Sequence, residues 1–293
     1  MSFPPEVFLI GAQKAGTTTL AYLLDQHPRI TVAQPKEPHF FTHNLNNGLG
    51  WYERRFRDSP ANTGAVYIDA STSYAMAPIT KDERGWQEDY EDVPSRIFLI
   101  RPDARFIYSL RDPVERAYSA YWHNVRTGIE NREFGTALLN DPFYLDVGDY
   151  RGQLLPWLDY FPLRSFLFVR FEDIKEAPER VAKECCEFLG LDEIDITFQL
   201  DSAKNPSYQT SWIGRKMNRL ARSEVLRTNP DLRATLKSAV PKSARNFLSN
   251  IKMGSTPVPA MKDEDRSFLV EYFRERNRDL EKLIGVSFDR WRR

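Results

Sequence analysis

The segment from residue 7 to residue 26 constrains the fold of this 293-residue chain more than any other. Its first four residues, Val7 to Ile10, form an apolar run that is typical of a parallel strand buried on both faces. Residues 11–16 contain two glycines and predict a turn. The pattern from Thr17 to Gln26 then predicts a helix that ends before Pro28. A strand, a glycine turn and a helix in this order indicate an α/β fold.

The turn has the composition of a phosphate-binding loop. Glycines let backbone N–H groups converge on an anion, and the start of a helix adds positive potential. Nucleotide triphosphatases place Lys and then Ser or Thr directly after the second glycine, where they bind phosphate and magnesium. Here Thr17 follows Gly16, and Lys14 precedes that glycine by two residues. The loop therefore predicts an anion site with altered metal geometry; a plain turn of small residues is the alternative.

Strand and helix patterns alternate along the rest of the chain. Apolar runs predict strands over residues 66–69, 105–110 and 166–169, and periodic segments predict helices over residues 113–125, 178–189 and 266–284. This alternation predicts a P-loop-type, doubly wound parallel sheet flanked by helices. We expect a single domain of residues 1–293, with residues 204–260 as a basic, mostly helical insertion.

Charge is balanced over the whole chain but not along it. Lys and Arg total 41, as do Asp and Glu, whereas residues 204–245 contain ten basic and two acidic residues. That stretch is either a solvated helical face or a surface for an anionic ligand or partner. No apolar run reaches the ~20 residues that span a bilayer, and no signal-peptide pattern is present. We expect a cytoplasmic protein with no transmembrane segment, no nucleic-acid partner, and Cys185 and Cys186 as reduced thiols.

A second constellation begins where the strand over residues 105–110 ends. Arg111 stands at that carboxyl end, where ligands bind in open α/β sheets, and Ser119 follows eight residues later on the next helix. A guanidinium and a hydroxyl in these places suit a second phosphate. Alternatively, Arg111 forms a salt bridge with Asp112 or Glu115.

Taken together, these two segments resemble the sulfotransferases that use 3′-phosphoadenosine 5′-phosphosulfate (PAPS). The first resembles the 5′-phosphosulfate loop of that family, and the second resembles its 3′-phosphate motif. Lys36-Glu37-Pro38-His39-Phe40-Phe41 is similar to a motif of the heparan sulfate N- and O-sulfotransferase branch. Further similar segments follow in order: residues 149–162, 171–174, 188–190 and 272–291. The resemblance covers nearly the whole chain and thins between residues 200 and 261.

The resemblance implies which residues bind the PAPS donor, without a metal. Lys14 would stabilise the leaving phosphate, and Arg111 with Ser119 would bind the 3′-phosphate. The residues that would hold the 5′-phosphosulfate are Lys14, Ala15, Gly16, Thr17, Thr18 and Thr19. The branch also has a late Lys-Gly-Arg donor loop, for which the nearest candidates here are Lys204 and Tyr208.

The resemblance further implies that Glu37 is the base that removes the acceptor proton. His39 would point the same way in an extended segment and would contact the sulfuryl group or the substrate; its alternative is packing against the two phenylalanines that follow. The residues expected on the substrate side are Lys36, Glu37, His39, Phe40, Tyr74 and His123. His123 lies on the helix after Ser119 and faces either the donor or the solvent. His39 and His43 have the spacing of metal ligands, but no third ligand lies nearby in sequence, so we expect no metal.

One departure bears on the acceptor. The branch carries a lysine at the position of Ala70, and its loss argues against a highly sulfated glycan. We expect transfer to a hydroxyl, rather than an amine, of a glycan, a lipid, or a small or carrier-bound acceptor, including an anionic one. The alternatives are a P-loop nucleotide kinase or triphosphatase, and a non-catalytic module that binds nucleotides or anions.

Overall fold

The computed structural model describes residues 5–56, 65–80, 90–191 and 257–292. Its centre is one five-stranded sheet in the order β2-β3-β1-β4-β5, in which every strand pair is parallel. The strands are β1 (Val7–Gly11), β2 (Ile30–Val32), β3 (Val66–Asp69), β4 (Arg105–Leu110) and β5 (Phe166–Arg170). The chain builds β2 and β3 on one side of β1, and β4 and β5 on the other. Ligands bind where strand order reverses in this way, at the carboxyl ends of the central strands.

Helices follow the strands and cover the sheet. They are α1 (Thr17–Leu24), α2 (Leu49–Glu53), α3 (Val93–Ile100), α4 (Pro113–Thr127), α5 (Phe134–Asn140), α6 (Phe143–Asp146), α7 (Tyr150–Leu158), α8 (Phe171–Glu176), α9 (Pro178–Phe188), α10 (Asp263–Arg276) and α11 (Leu280–Ile284). Short 3-10 helices span Leu45–Asn47, Arg54–Phe56, Thr72–Ala75, Leu163–Ser165 and Asp289–Arg292. None of the described helices is long and apolar enough to cross a membrane.

The apolar run at β1 is buried because both faces of the sheet are covered. Phe8 and Ile10 belong to one hydrophobic cluster, with α3 and α7 residues. Val7 and Leu9 belong to a second cluster on the opposite face, with α1 and α9 residues. This alternation follows from the two-residue period of a strand, and it fixes β1 at the centre of the fold.

The predicted α/β class and parallel sheet are confirmed. β2 escaped prediction because it has only three residues. The helix predicted over residues 266–284 is instead two helices, since Asp279 has a left-handed backbone with φ 64°. Cys185 and Cys186 are buried free thiols on α9, and burial raises the pKa of Cys185. Most of the predicted insertion, with Lys204 and Tyr208, lies outside the described residues.

Candidate active site

The loop between β1 and α1 is tightly built. Gly16 caps α1 with φ +83°, and a Cβ atom there would lie 2.9 Å from Cδ2 of Phe171, so the position requires glycine. The Ser109 hydroxyl on β4 donates to the carbonyl of Ala15, and the N–H of Ala12 donates to the carbonyl of Ser109. These contacts attach the loop to the neighbouring strand.

The first turn of α1 presents an anion-binding surface. Thr17, Thr18 and Thr19 occupy its first three positions, whose N–H groups have no partner within a helix; Gly16 before them brings no capping side chain. The N–H of Ala15 donates to the carbonyl of Ala12 at 3.0 Å. Ala15 therefore maintains the turn, and the open N–H groups begin after it.

A cavity of about 900 Å³ lies at the carboxyl edge of the sheet. Every strand contributes to its wall through the segment that follows it. The lining residues are Gln13, Lys14, Gly16, Thr17, Thr18, Thr19, Glu37, Thr72, Arg111, Ser119, His123, Arg126, Phe171 and Lys175. The fold thus brings together the phosphate loop, the Arg111 and Ser119 pair, Glu37 and His123.

The part of this wall that contains Lys14 and Arg111 is strongly cationic. Burial lowers the pKa of Lys14 to about 8, and the charges of Arg126 and Arg111 add to that effect. Arg111 donates through Nη1 to the carbonyl of Lys14 at 3.1 Å, and its guanidinium lies over the ring of Phe171, 4.7 Å from the centroid. An anionic ligand would relieve this concentration of positive charge.

Arg111 does not form either of the salt bridges considered from sequence. Asp112 instead caps α4, where its carboxylate accepts from the N–H of Val114 at 2.9 Å. Glu115 pairs with Arg266 at 2.7 Å. The guanidinium is therefore directed to the loop and the cavity.

Glu37 is held in the cavity wall by three neighbours. The ammonium of Lys36 lies 2.8 Å from Oε1, and the hydroxyl of Thr72 donates to Oε2 at 3.0 Å. Nε2 of His39 lies 3.6 Å from Oε2. Burial of Glu37 favours its protonated form, but Lys36, His39 and Thr72 outweigh it and hold the pKa of Glu37 below its ordinary value. Glu37 is thus a carboxylate at neutral pH.

His39 reaches Glu37 by a different route from the one predicted. Its backbone is left-handed, with φ 51°, rather than extended. Nδ1 lies 2.8 Å from the hydroxyl of Ser73, and the ring meets the edge of His43 at a centroid distance of 5.6 Å. Burial lowers the pKa of His39, against the effect of Glu37, which raises it. Among the described residues, no group of three side chains could hold a metal ion.

A buried carboxylate fixes the segment that carries Thr72. Asp69 accepts hydrogen bonds from the hydroxyls of Tyr52 at 2.5 Å and Tyr74 at 2.6 Å. It also accepts from the N–H of Ser71 at 2.9 Å. Burial raises the pKa of Asp69. These contacts set the backbone from which Thr72 reaches Glu37.

Two residues predicted on the substrate side lie in the core. Phe40 is fully buried and stacks on Tyr52, with ring centroids 4.2 Å apart. Tyr74 is also buried, with its hydroxyl committed to Asp69. Both side chains belong to the hydrophobic core and neither lines the cavity, so their contact with the substrate stays a prediction.

Several wall residues were not predicted. Arg126 lies seven residues after Ser119, so helical periodicity would have placed it on the same face of α4. Lys175 directly follows the segment of residues 171–174, which resembles the family, and it had no assigned role. Thr72 gave no sequence signal, because its contact to Glu37 crosses 35 residues of chain.

The fold and this cavity define a P-loop-like α/β protein with an anion-binding site, and comparison with known proteins gives the family. A family model for the sulfotransferase domain matches residues 4–278. The chain therefore belongs to the sulfotransferase domain family.

Its curated relatives come from the branch that the motifs predicted. The mouse heparan sulfate glucosamine 3-O-sulfotransferase 3B1 is 32% identical over 201 residues, which cover 65% of this chain and 47% of that protein. The human bifunctional heparan sulfate N-deacetylase/N-sulfotransferase 2 is 26% identical over 310 residues, which cover 96% of this chain and 29% of that protein. The matches thus span about half or less of these relatives.

Solved structures share the fold. A sulfotransferase from Alicyclobacillus acidocaldarius superimposes with a TM-score of 0.64 at 23% identity, covering 99% of both chains. The mouse sulfotransferase SULT7A1 complexed with PAP gives a TM-score of 0.53 at 16% identity, covering 96% of this chain and 87% of that one. The predicted family is confirmed.

Proposed function

We propose that this protein transfers a sulfuryl group from PAPS to a hydroxyl of a glycan acceptor. The observation that carries the proposal is the shared cavity. It combines an open helix N-terminus beside Lys14, a second cationic position at Arg111 and Ser119, and an ionised carboxylate at Glu37. A nucleotide with anionic groups at two separate positions matches the first two features, and an acceptor hydroxyl matches the third.

The donor supplies an activated sulfuryl group. The acceptor oxygen forms a bond to sulfur while the bond from sulfur to the bridging phosphate oxygen breaks. Glu37 takes the acceptor proton as general base, and the charge that develops on the phosphate is stabilised by Lys14 and the first N–H groups of α1. Arg111 and Ser119 hold the 3′-phosphate and so orient the donor.

The names of the relatives support a glycan acceptor, since they act on heparan sulfate. The hydroxyl is favoured by the 3-O-sulfotransferases among them. Glu37 is suited to this role because a hydroxyl must lose its proton during transfer. The loss of a lysine at Ala70 favours an acceptor with fewer sulfates.

Binding of 3′-phosphoadenosine 5′-phosphate in the presence of a chelator tests the donor assignment, because a kinase or triphosphatase would need magnesium. Calorimetry should give the same affinity with and without EDTA. Loss of binding on chelation, together with tight binding of ATP, would favour the kinase alternative.

Substitution of the base tests the transfer step. Glu37→Gln should retain nucleotide binding and lose about 100- to 10,000-fold in transfer rate, because a general base typically contributes that much. The measurement is transfer of labelled sulfate to a panel of glycans. Glu179→Gln on the exposed face of α9 is the matched control. A native rate in Glu37→Gln would leave His39 or His123 as the base.

A further inference from the structure

Lys36 forms a bridge between the phosphate-loop helix and the proposed base. Its ammonium lies 2.8 Å from Oε1 of Glu37 and donates to Oγ1 of Thr17, the first residue of α1, at 3.4 Å. We propose that Lys36 is a positioning residue, which holds Glu37 ionised and oriented and connects it to the donor loop. This inference rests on the proposed role of Glu37 as base.

Both ends of Lys36 are fixed. Its carbonyl accepts a hydrogen bond from the N–H of Ala70 at 3.2 Å, which ties its backbone to the end of β3. Its ammonium is shared between two residues of the cavity wall. The sequence predicted that Lys36 binds the substrate, whereas its contacts direct it to Glu37 and the phosphate loop.

The two carboxylate oxygens of Glu37 have separate partners. Lys36 contacts Oε1, and Thr72 donates to Oε2 from the 3-10 helix after β3. Two contacts on separate oxygens fix the plane of a carboxylate, which one contact does not. Thr72 is neutral, so Lys36 supplies the charge compensation as well as one of the two contacts.

The charged groups around Glu37 come from its own loop and from the rest of the cavity wall. Lys36 and His39 approach it from its own loop, and Lys36 is the nearer, at 2.8 Å against 3.6 Å. The other cations that line the cavity with Glu37 are Lys14, Arg111, Arg126 and Lys175. Burial alone would raise the pKa of Glu37, and Lys36 is the largest influence that lowers it.

Removal of the ammonium should therefore leave a half-buried carboxylate without its main counter-charge. In Lys36→Met the pKa of Glu37 should rise by about 1–3 pH units, the range by which a close opposite charge ordinarily lowers it. Lys36→Arg keeps the charge and should keep the native pKa. Thr72→Val removes a neutral contact and should give a smaller rise. Lys36→Gln is a second neutral variant of similar length.

The pKa is measured by carbon-13 NMR on protein labelled at the glutamate side-chain carboxyl, with the Glu37 signal assigned by its loss in Glu37→Gln. The expected order of titration midpoints is Lys36→Met and Lys36→Gln highest, Thr72→Val next, and Lys36→Arg with the native protein lowest. Equal midpoints in the native protein and in either folded neutral variant would overturn the proposal. This readout needs no acceptor and no turnover.

Transfer kinetics provide the second readout. The acidic limb of kcat/KM should move to higher pH in Lys36→Met, with a lower kcat and a native KM for the donor, and Lys36→Arg should restore both. A change in donor KM alone, with the limb unmoved, would mean that Lys36 serves the donor and not Glu37. If the native protein transfers no sulfate, the proposed function fails, while the NMR midpoints still decide whether Lys36 controls Glu37.

Discussion

The two sides of the cavity are built in different ways. The donor side consists of Lys14, residues 17–19, Arg111 and Ser119, which lie in the short loop between β1 and α1, at the end of β4, or on helices α1 and α4. The base side consists of residues 36–39, in an irregular segment after β2, with residues 71–73, at the start of the 3-10 helix after β3. The sheet and helices place the donor side directly, whereas side-chain hydrogen bonds place the base side.

These hydrogen bonds are long-range. Thr72 and Glu37 are 35 residues apart, and Ser73 and His39 are 34 apart. The N–H of His39 also donates to the hydroxyl of Ser71, 32 residues away, at 2.9 Å. The donor side should thus tolerate substitutions around it, while the base side should respond to changes in the network behind it.

On the donor side, the largest expected effect comes from Lys14. Lys14→Met should lower kcat by about 100- to 1,000-fold, which is the typical cost of removing one group that stabilises developing negative charge. Lys183→Met on the exposed face of α9 is the control. The measurement is single-turnover transfer at saturating donor. A change in the KM for the donor with kcat unchanged would show that Lys14 binds the donor without acting in the transition state.

The difference between the two sides also explains what the sequence predicted. Lys14 and Thr17 were found because strand, glycine turn and helix are adjacent in the chain. Arg111 and Ser119 were found because Arg111 directly follows a strand and Ser119 lies eight residues later, on the next helix. These relationships depend on local geometry, which a sequence expresses directly.

On the base side, the sequence predicted Glu37 and His39 through the resemblance of one motif, but not their surroundings. Thr72 had no signal, since its role exists only when β3 brings it to Glu37. Phe40 and Tyr74 were predicted on the substrate side but lie in the core, because an aromatic residue beside a motif has the same pattern whether it faces a substrate or the core. Only the packing of Phe40 on Tyr52 distinguishes these two cases.

The next largest effect concerns the 3′-phosphate. Arg111→Ala should weaken the binding of 3′-phosphoadenosine 5′-phosphate by at least ~10-fold, since hydrogen bonds to charged groups contribute about 1.5–3 kcal/mol. Ser119→Ala removes a neutral donor and should cost less. Calorimetry with this nucleotide and with adenosine 5′-phosphosulfate, which lacks the 3′-phosphate, gives a double difference that cancels damage to the loop. Equal losses of affinity for both nucleotides would mean that Arg111 supports the loop, through its hydrogen bond to the Lys14 carbonyl, and does not bind the 3′-phosphate.

The pKa of Lys14 gives the donor side its pH dependence. Lys14 is protonated below about pH 8, so its attraction for the donor is present there and is lost as the pH rises through that value. The pH profile of kcat/KM for the donor should therefore have a basic limb, in which kcat/KM falls about tenfold per pH unit, because this parameter reports ionisation of the free enzyme. Lys14→Arg keeps its charge and should move the limb upward. A limb that stays near pH 8 in Lys14→Arg would belong to another group.

The smallest effect on turnover, and the sharpest test of the base side, comes from Tyr52→Phe. This change removes one of the two hydroxyls that donate to the buried carboxylate of Asp69, while the ring can keep its stack on Phe40. The free energy of unfolding should fall by about 1–3 kcal/mol, because the buried Asp69 carboxylate loses a hydrogen-bond donor. Tyr160→Phe, at an exposed tyrosine, is the control, and urea unfolding measures both. Since Asp69 sets the backbone that carries Thr72, kcat should fall a few-fold, while nucleotide affinity on the donor side stays native. A loss of nucleotide affinity equal to the loss of kcat would mean that the two sides are not separately built.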